Sequence, residues 1–104
     1  MNNPARIKWS RAVKEAAGFR CQFCGGSERL ESHHIRPLCD FPALEHDVYN
    51  GVCLCHTCHV RAHGGTFFRK GPGYCAIHAS SRHNKRQIVA VMDFIRKIAE
   101  DRGL

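Results

Sequence analysis

The chain has 104 residues, which suits one small domain and excludes two. Its hydrophobic fraction of 43%, with six Phe and one Trp, is that of a globular protein rather than a disordered one. The net charge is +7, and no carboxylate stands between Asp47 and Asp93, a stretch that holds Arg61, Arg69, Lys70, Arg82, Lys85 and Arg86; such a layout suits a polyanionic partner.

A core this small is thin and calls for a staple. Seven cysteines and eight histidines supply the material. No apolar run follows the N-terminal residues as in a signal peptide, and none approaches the roughly 18 residues of a membrane span. The expected setting is soluble and intracellular (cytoplasmic), without membrane contact. In a reducing compartment paired cysteines are metal ligands rather than disulfides.

Asn3-Pro4 reads as a helix cap followed by proline at the first helical position. Ile7, Ala12, Val13, Ala16 and Ala17 recur at helical spacing, so a helix is expected over Pro4 to Ala17, stopped by Gly18. Cys21-Gln-Phe-Cys24-Gly25-Gly26 has the form of a zinc knuckle, in which glycines let backbone amides approach the thiolates. Alone it could equally be a redox motif. A second pair, Cys55 and Cys58, follows after thirty intervening residues and makes a tetrahedral four-cysteine zinc site the expectation.

The segment from Leu30 to Leu38 reads as a short strand, although its apolar residues do not alternate cleanly. Cys39 to Tyr49 is expected as a loop with a helical turn near Pro42 to Leu44. Asn50-Gly51 marks a turn, and Val52-Cys53-Leu54 a second strand. A helix over roughly His56 to His63 ends at Gly64-Gly65. The region from Thr66 to Ser81 is irregular, broken by Gly71-Pro72-Gly73, with Phe67 and Phe68 expected to pack back on the domain. Cys75 and His78 have metal-like spacing but no partner pair. Asn84 would cap a last helix whose stripe of Ile88, Val91, Met92, Ile95, Ile98 and Ala99 is core or, in the competing reading, a dimer face. Cys53 reads as core and Cys39 as a loop thiol.

His59 and His63 are four apart, so on a helix they share a face and can grip one metal. His33 and His34 are neighbours on a strand and point to opposite faces if it is regular. They cannot do the same job: one should ligate metal and the other act on water.

Cys21-x2-Cys24, Glu31-Ser-His33-His34-Ile35, Asn50 and Cys55-x2-Cys58-His59-x3-His63 together resemble the HNH endonuclease family over roughly residues 9 to 64. The resemblance implies an α+β chain: a small ββα-metal core braced by the four-cysteine zinc, with helices at both ends. Residues 1 to 104 would form one nuclease domain, with a core of about 9–64 and a helical extension of about 66–104. It implies that His34 is the general base and that Asn50 orients it through backbone hydrogen bonds. His33, His59 and His63 would hold a divalent metal, Mg²⁺, Mn²⁺, Ni²⁺ or Zn²⁺, that binds the scissile phosphate and the leaving 3′ oxygen. His59 thereby counts among the catalytic residues as well as the ligands. The implied activity is hydrolysis of DNA phosphodiester bonds, by nicking or cleaving, in an intracellular bacterial or phage-encoded setting. The alternative is a non-catalytic zinc-knuckle module that binds nucleic acid. Arg36, Arg61, Arg82, Lys85 and Arg86 are the candidate nucleic-acid contacts, against the plainer reading of a solvated face. Double-stranded DNA is the expected partner, bound by a monomer or weak homodimer. So small a surface leaves sequence preference low or supplied by a larger protein partner.

Overall fold

The computed structural model describes residues 3–63 and 85–104. The expectations for Gly64-Gly65, Phe67, Phe68, the Gly71-Pro72-Gly73 break, Cys75, His78, Arg82 and Asn84 lie outside these residues.

The first helix, α1, runs Pro4–Ala16. Asn3 caps it: its side-chain oxygen accepts from the backbone N–H of Ala5 at 3.0 Å and of Arg6 at 3.2 Å. Gly18, at φ +66°, turns the chain out of it. The buried face differs from the expected one. It consists of Trp9 and Val13, while Ile7 is 53% exposed. Two residues apart on a 3.6-residue turn, Ile7 and Trp9 point to nearly opposite sides. The indole chooses between them, because its N–H reaches the Asp47 carbonyl at 2.8 Å and its rings fill the core.

Strand β1 spans Leu30–His34 and β2 spans Gly51–Cys55. They pair antiparallel, with Leu30 opposite Cys55 and His34 opposite Gly51. The first strand is shorter than the run from Leu30 to Leu38: the Arg36 N–H goes to the Asn50 side chain rather than to a ladder partner, and Pro37 after it has no N–H to give. Between the strands the chain makes two 3₁₀ turns, Pro42–Leu44 and Val48–Asn50. The knuckle joins the sheet side of β2 from the other direction: Gln22 N–H donates to the Cys53 carbonyl, and Cys53 N–H donates to the Gln22 side chain.

Helix α2, His56–Ala62, follows β2 without a loop, and α3 covers Lys85–Asp101. The unit β1–β2–α2 is the expected ββα-metal arrangement within an α+β chain. The hairpin carries a helix layer on each face. On one side Cys53 packs with Trp9 and Val13 of α1. On the other, Val52 and Leu54 pack with Cys58, Val91 and Ile95 from α2 and α3. This alternation is the period-2 geometry of a strand. The stripe of the last helix is therefore core through Val91, Ile95 and Ala99, while Met92 is 47% exposed.

Two contacts fix how closely these layers meet. A Cβ on Gly51 would lie 2.3 Å from a Val13 methyl and 3.0 Å from the Trp9 ring, so only glycine lets α1 cross there. At the far end of α3, Arg102 donates to the carbonyls of Tyr49 at 2.8 Å and Gly51 at 2.7 Å. The last helix thus holds the turn that carries Asn50. No helix among the described residues is long and apolar enough to cross a membrane.

Candidate active site

The four cysteines come together. Their sulfurs lie within 4.8 Å of one another, Cys21 and Cys58 buried and Cys24 exposed. Cys24 Sγ and Cys55 Sγ stand 3.7 Å apart, close to the edge of about 3.8 Å in a tetrahedron with Zn–S near 2.3 Å. The knuckle turn is built for this. Gly25 N–H donates to the Cys21 carbonyl, Cys24 N–H points to Cys21 Sγ at 3.4 Å, and Gly25 itself sits at φ +80°. Burial raises the Cys21 thiol, but hydrogen bonds from the backbones of Cys24, Cys55 and Phe23 outweigh it and bring the group down to about 7. Burial and the neighbouring Cys55 and Cys21 sulfurs push Cys58 far up. Four thiolates cannot coexist here without a cation, and the donor set fits zinc.

The second cluster sits on a neighbouring face of α2, beginning one residue after Cys58. Ring nitrogens of His33, His59 and His63 also lie within 4.8 Å of one another. His59 Nε2 and His63 Nε2 are 3.2 Å apart. Ligands at about 2.1 Å from one ion stand about 3.0 Å apart in an octahedron and about 3.4 Å in a tetrahedron, so the spacing fits a metal. Burial, then the His59 and His63 imidazoles, push His33 down to about 3, which keeps it in the neutral, ligating form.

Glu31 holds this cluster in place, and the sequence reading missed it. One carboxylate oxygen accepts from His59 Nδ1 at 2.7 Å, the other from His56 Nδ1 at 2.9 Å. A carboxylate can only accept, so His59 carries its proton on Nδ1, and Nε2 is the lone-pair nitrogen turned to His63. The signal was present: Glu31 is two residues before His33, on the same face of β1.

His34 occupies the other face. Its ring stacks on Trp9, centroids 3.9 Å apart and planes 6° from parallel. Its Nε2 lies 2.9 Å from the Glu45 carbonyl. A carbonyl only accepts, so Nε2–H donates and Nδ1 is the basic nitrogen of the neutral ring. Burial lowers the His34 pKa, against the raising pull of that carbonyl.

Asn50 is fully buried and closes the loop between the strands. Its Oδ1 accepts from Arg36 N–H at 2.8 Å, and its Nδ2 donates to the carbonyls of Arg36 at 3.2 Å and Leu44 at 3.4 Å. Leu44 neighbours Glu45, whose carbonyl orients His34.

His33, His34, His59 and His63 line one cleft of about 720 Å³, together with Arg6, Trp9 and Ser10 of α1. Because His33 and His34 come from opposite faces of β1, the cleft crosses the outer edge of that strand. Among the candidate nucleic-acid contacts, Arg36 binds the Leu104 carbonyl and lies over the Phe41 ring at 5.9 Å. Arg61 is partly exposed on α2, and Lys85 and Arg86 are exposed at the start of α3.

Residues 21–65 match the family model described as HNH endonuclease. The matched segment runs from the first knuckle cysteine through β1, β2 and α2, and so contains both clusters. That segment is therefore similar to an HNH endonuclease domain, and its β1–β2–α2 order is consistent with a ββα-metal fold. No curated protein and no solved structure matches the chain.

Proposed function

We propose that the chain is a metal-dependent endonuclease that hydrolyses DNA phosphodiester bonds, and that residues 1–104 work as one nuclease domain. The observation that carries this reading is the shared cleft: a neutral imidazole with a defined basic nitrogen and three convergent imidazoles line the same 720 Å³ space. His34 Nδ1, the lone-pair nitrogen of a ring that burial favours in its neutral form, takes the proton from the attacking water. The Glu45 carbonyl and the Trp9 face hold its ring still, and Asn50 holds the loop that carries Glu45. His33, His59 and His63 hold a divalent metal, which when bound supplies charge to the scissile phosphate and to the leaving oxygen. An imidazole set favours Mn²⁺, Ni²⁺ or Zn²⁺ over Mg²⁺, which prefers oxygen ligands. Cys21, Cys24, Cys55 and Cys58 hold a structural zinc that fixes α2 against the hairpin.

The test is supercoiled plasmid incubated with the zinc-loaded protein and Mn²⁺, Ni²⁺ or Mg²⁺ in turn. Nicked or linear product in at least one, abolished by chelator, is the expected result. Binding to the plasmid with no product under any of these metals would instead identify a non-catalytic zinc module.

A further inference from the structure

A second groove of about 360 Å³ lies on α1, lined by Arg6, Ile7, Ser10, Arg11 and Lys14. Arg6 and Ser10 also line the cleft of the histidines, so the groove continues from the cleft onto the helix. On a turn of 3.6 residues Arg6, Ser10 and Lys14 stack along one line, with Ile7 and Arg11 beside it. From Arg6 to Lys14 the strip is about 12 Å long at about 1.5 Å per residue. The helix carries four cations, Arg6, Lys8, Arg11 and Lys14, against the single carboxylate of Glu15. Two of the cations are in exposed ion pairs: Arg6 with Glu45 at 2.9 Å and Arg11 with Glu15 at 3.5 Å. Exposed pairs of this kind are worth little and exchange readily for phosphate. Lys14 has no ion-pair partner among the described residues.

From the continuity of the two grooves and the charge of the helix, we infer that α1 is a docking track for the DNA backbone leading out of the catalytic cleft, with Arg11 and Lys14 contacting phosphates beyond the scissile one. The inference rests on the nuclease reading. It assigns the substrate to a face of the domain that lies outside the segment matched by the family. Arg6 stands where track and cleft meet, and its pairing with Glu45 places it beside the residue whose carbonyl holds His34.

The test compares the full chain with an Arg11→Gln/Lys14→Gln variant, both zinc-loaded, binding a duplex oligonucleotide over a series of salt concentrations. Each lost phosphate contact lowers the slope of log K against log salt by about 0.9, so the variant's slope should fall by about 1.8. Its affinity near physiological salt should fall on the order of tenfold. Melting temperature is followed alongside, because a purely structural role would move it and leave the slope alone. An unchanged slope in a variant whose parent binds and nicks DNA overturns the track and leaves the nuclease reading standing. A parent that neither binds nor nicks DNA overturns both.

Discussion

At the scale of single residues, the chemistry turns on what each imidazole nitrogen faces. His33 and His34 are adjacent, yet the pleat sends one to α2 and the other to α1. That separation was legible in the sequence, because two neighbouring histidines on a strand cannot share a face. Glu31, which sets the His59 ring, and Trp9, which sets the His34 ring, were not. Each makes its contact across the fold: Trp9 leaves no local pattern, and the i, i+2 spacing of Glu31 and His33 marks a shared face without naming His59 as the partner. Glu31→Gln removes the charge that holds His59, and outer-shell changes of this kind cost about 10–100-fold in metal affinity. Titration of Mn²⁺ or Zn²⁺ into the protein with its cysteine site already filled should show that loss at the histidine site. Affinity equal to the parent's would mean that Glu31 does not orient the ligand.

At the scale of elements, the hairpin and α2 followed from short-range signals: the knuckle glycines, Pro37, Asn50-Gly51 and the spacing of His59 and His63. The helix stripe of α3 and the cap of α1 were equally local. The burial phase of α1 was not, since Ile7 and Trp9 are both large and apolar and only the partner across the interface selects one. The contact that admits α1 is Gly51, read from the sequence as a turn residue but placed first in β2 beneath Val13. Its φ of −121° is ordinary, so its role is space rather than conformation. Gly51→Ala should therefore destabilise the domain by about 1–3 kcal/mol through overpacking, measured by chemical denaturation. A stability equal to the parent's would show that α1 shifts without cost.

At the scale of the molecule, the proposed function gives the two clusters separate work, one holding the fold and the other acting on substrate. One brace of four sulfurs links the knuckle to the start of α2, while the imidazoles on that same helix face β1. Metal binding to a closed cysteine site contributes directly to folding free energy. Cys58→Ser, or strong chelation, should lower the melting temperature sharply. Removal of the ion at the histidine site alone should leave melting little changed and stop hydrolysis. A Cys58→Ser protein that melts like the parent would refute the four-cysteine site. The central claim, that His34 is the base of a phosphodiester hydrolase, is tested most directly by the nicking rate of His34→Ala on supercoiled plasmid, with both metal sites loaded and the DNA saturating. The account predicts a fall of about 10²- to 10⁴-fold with zinc content and melting preserved; a variant that nicks at the parent's rate would contradict it.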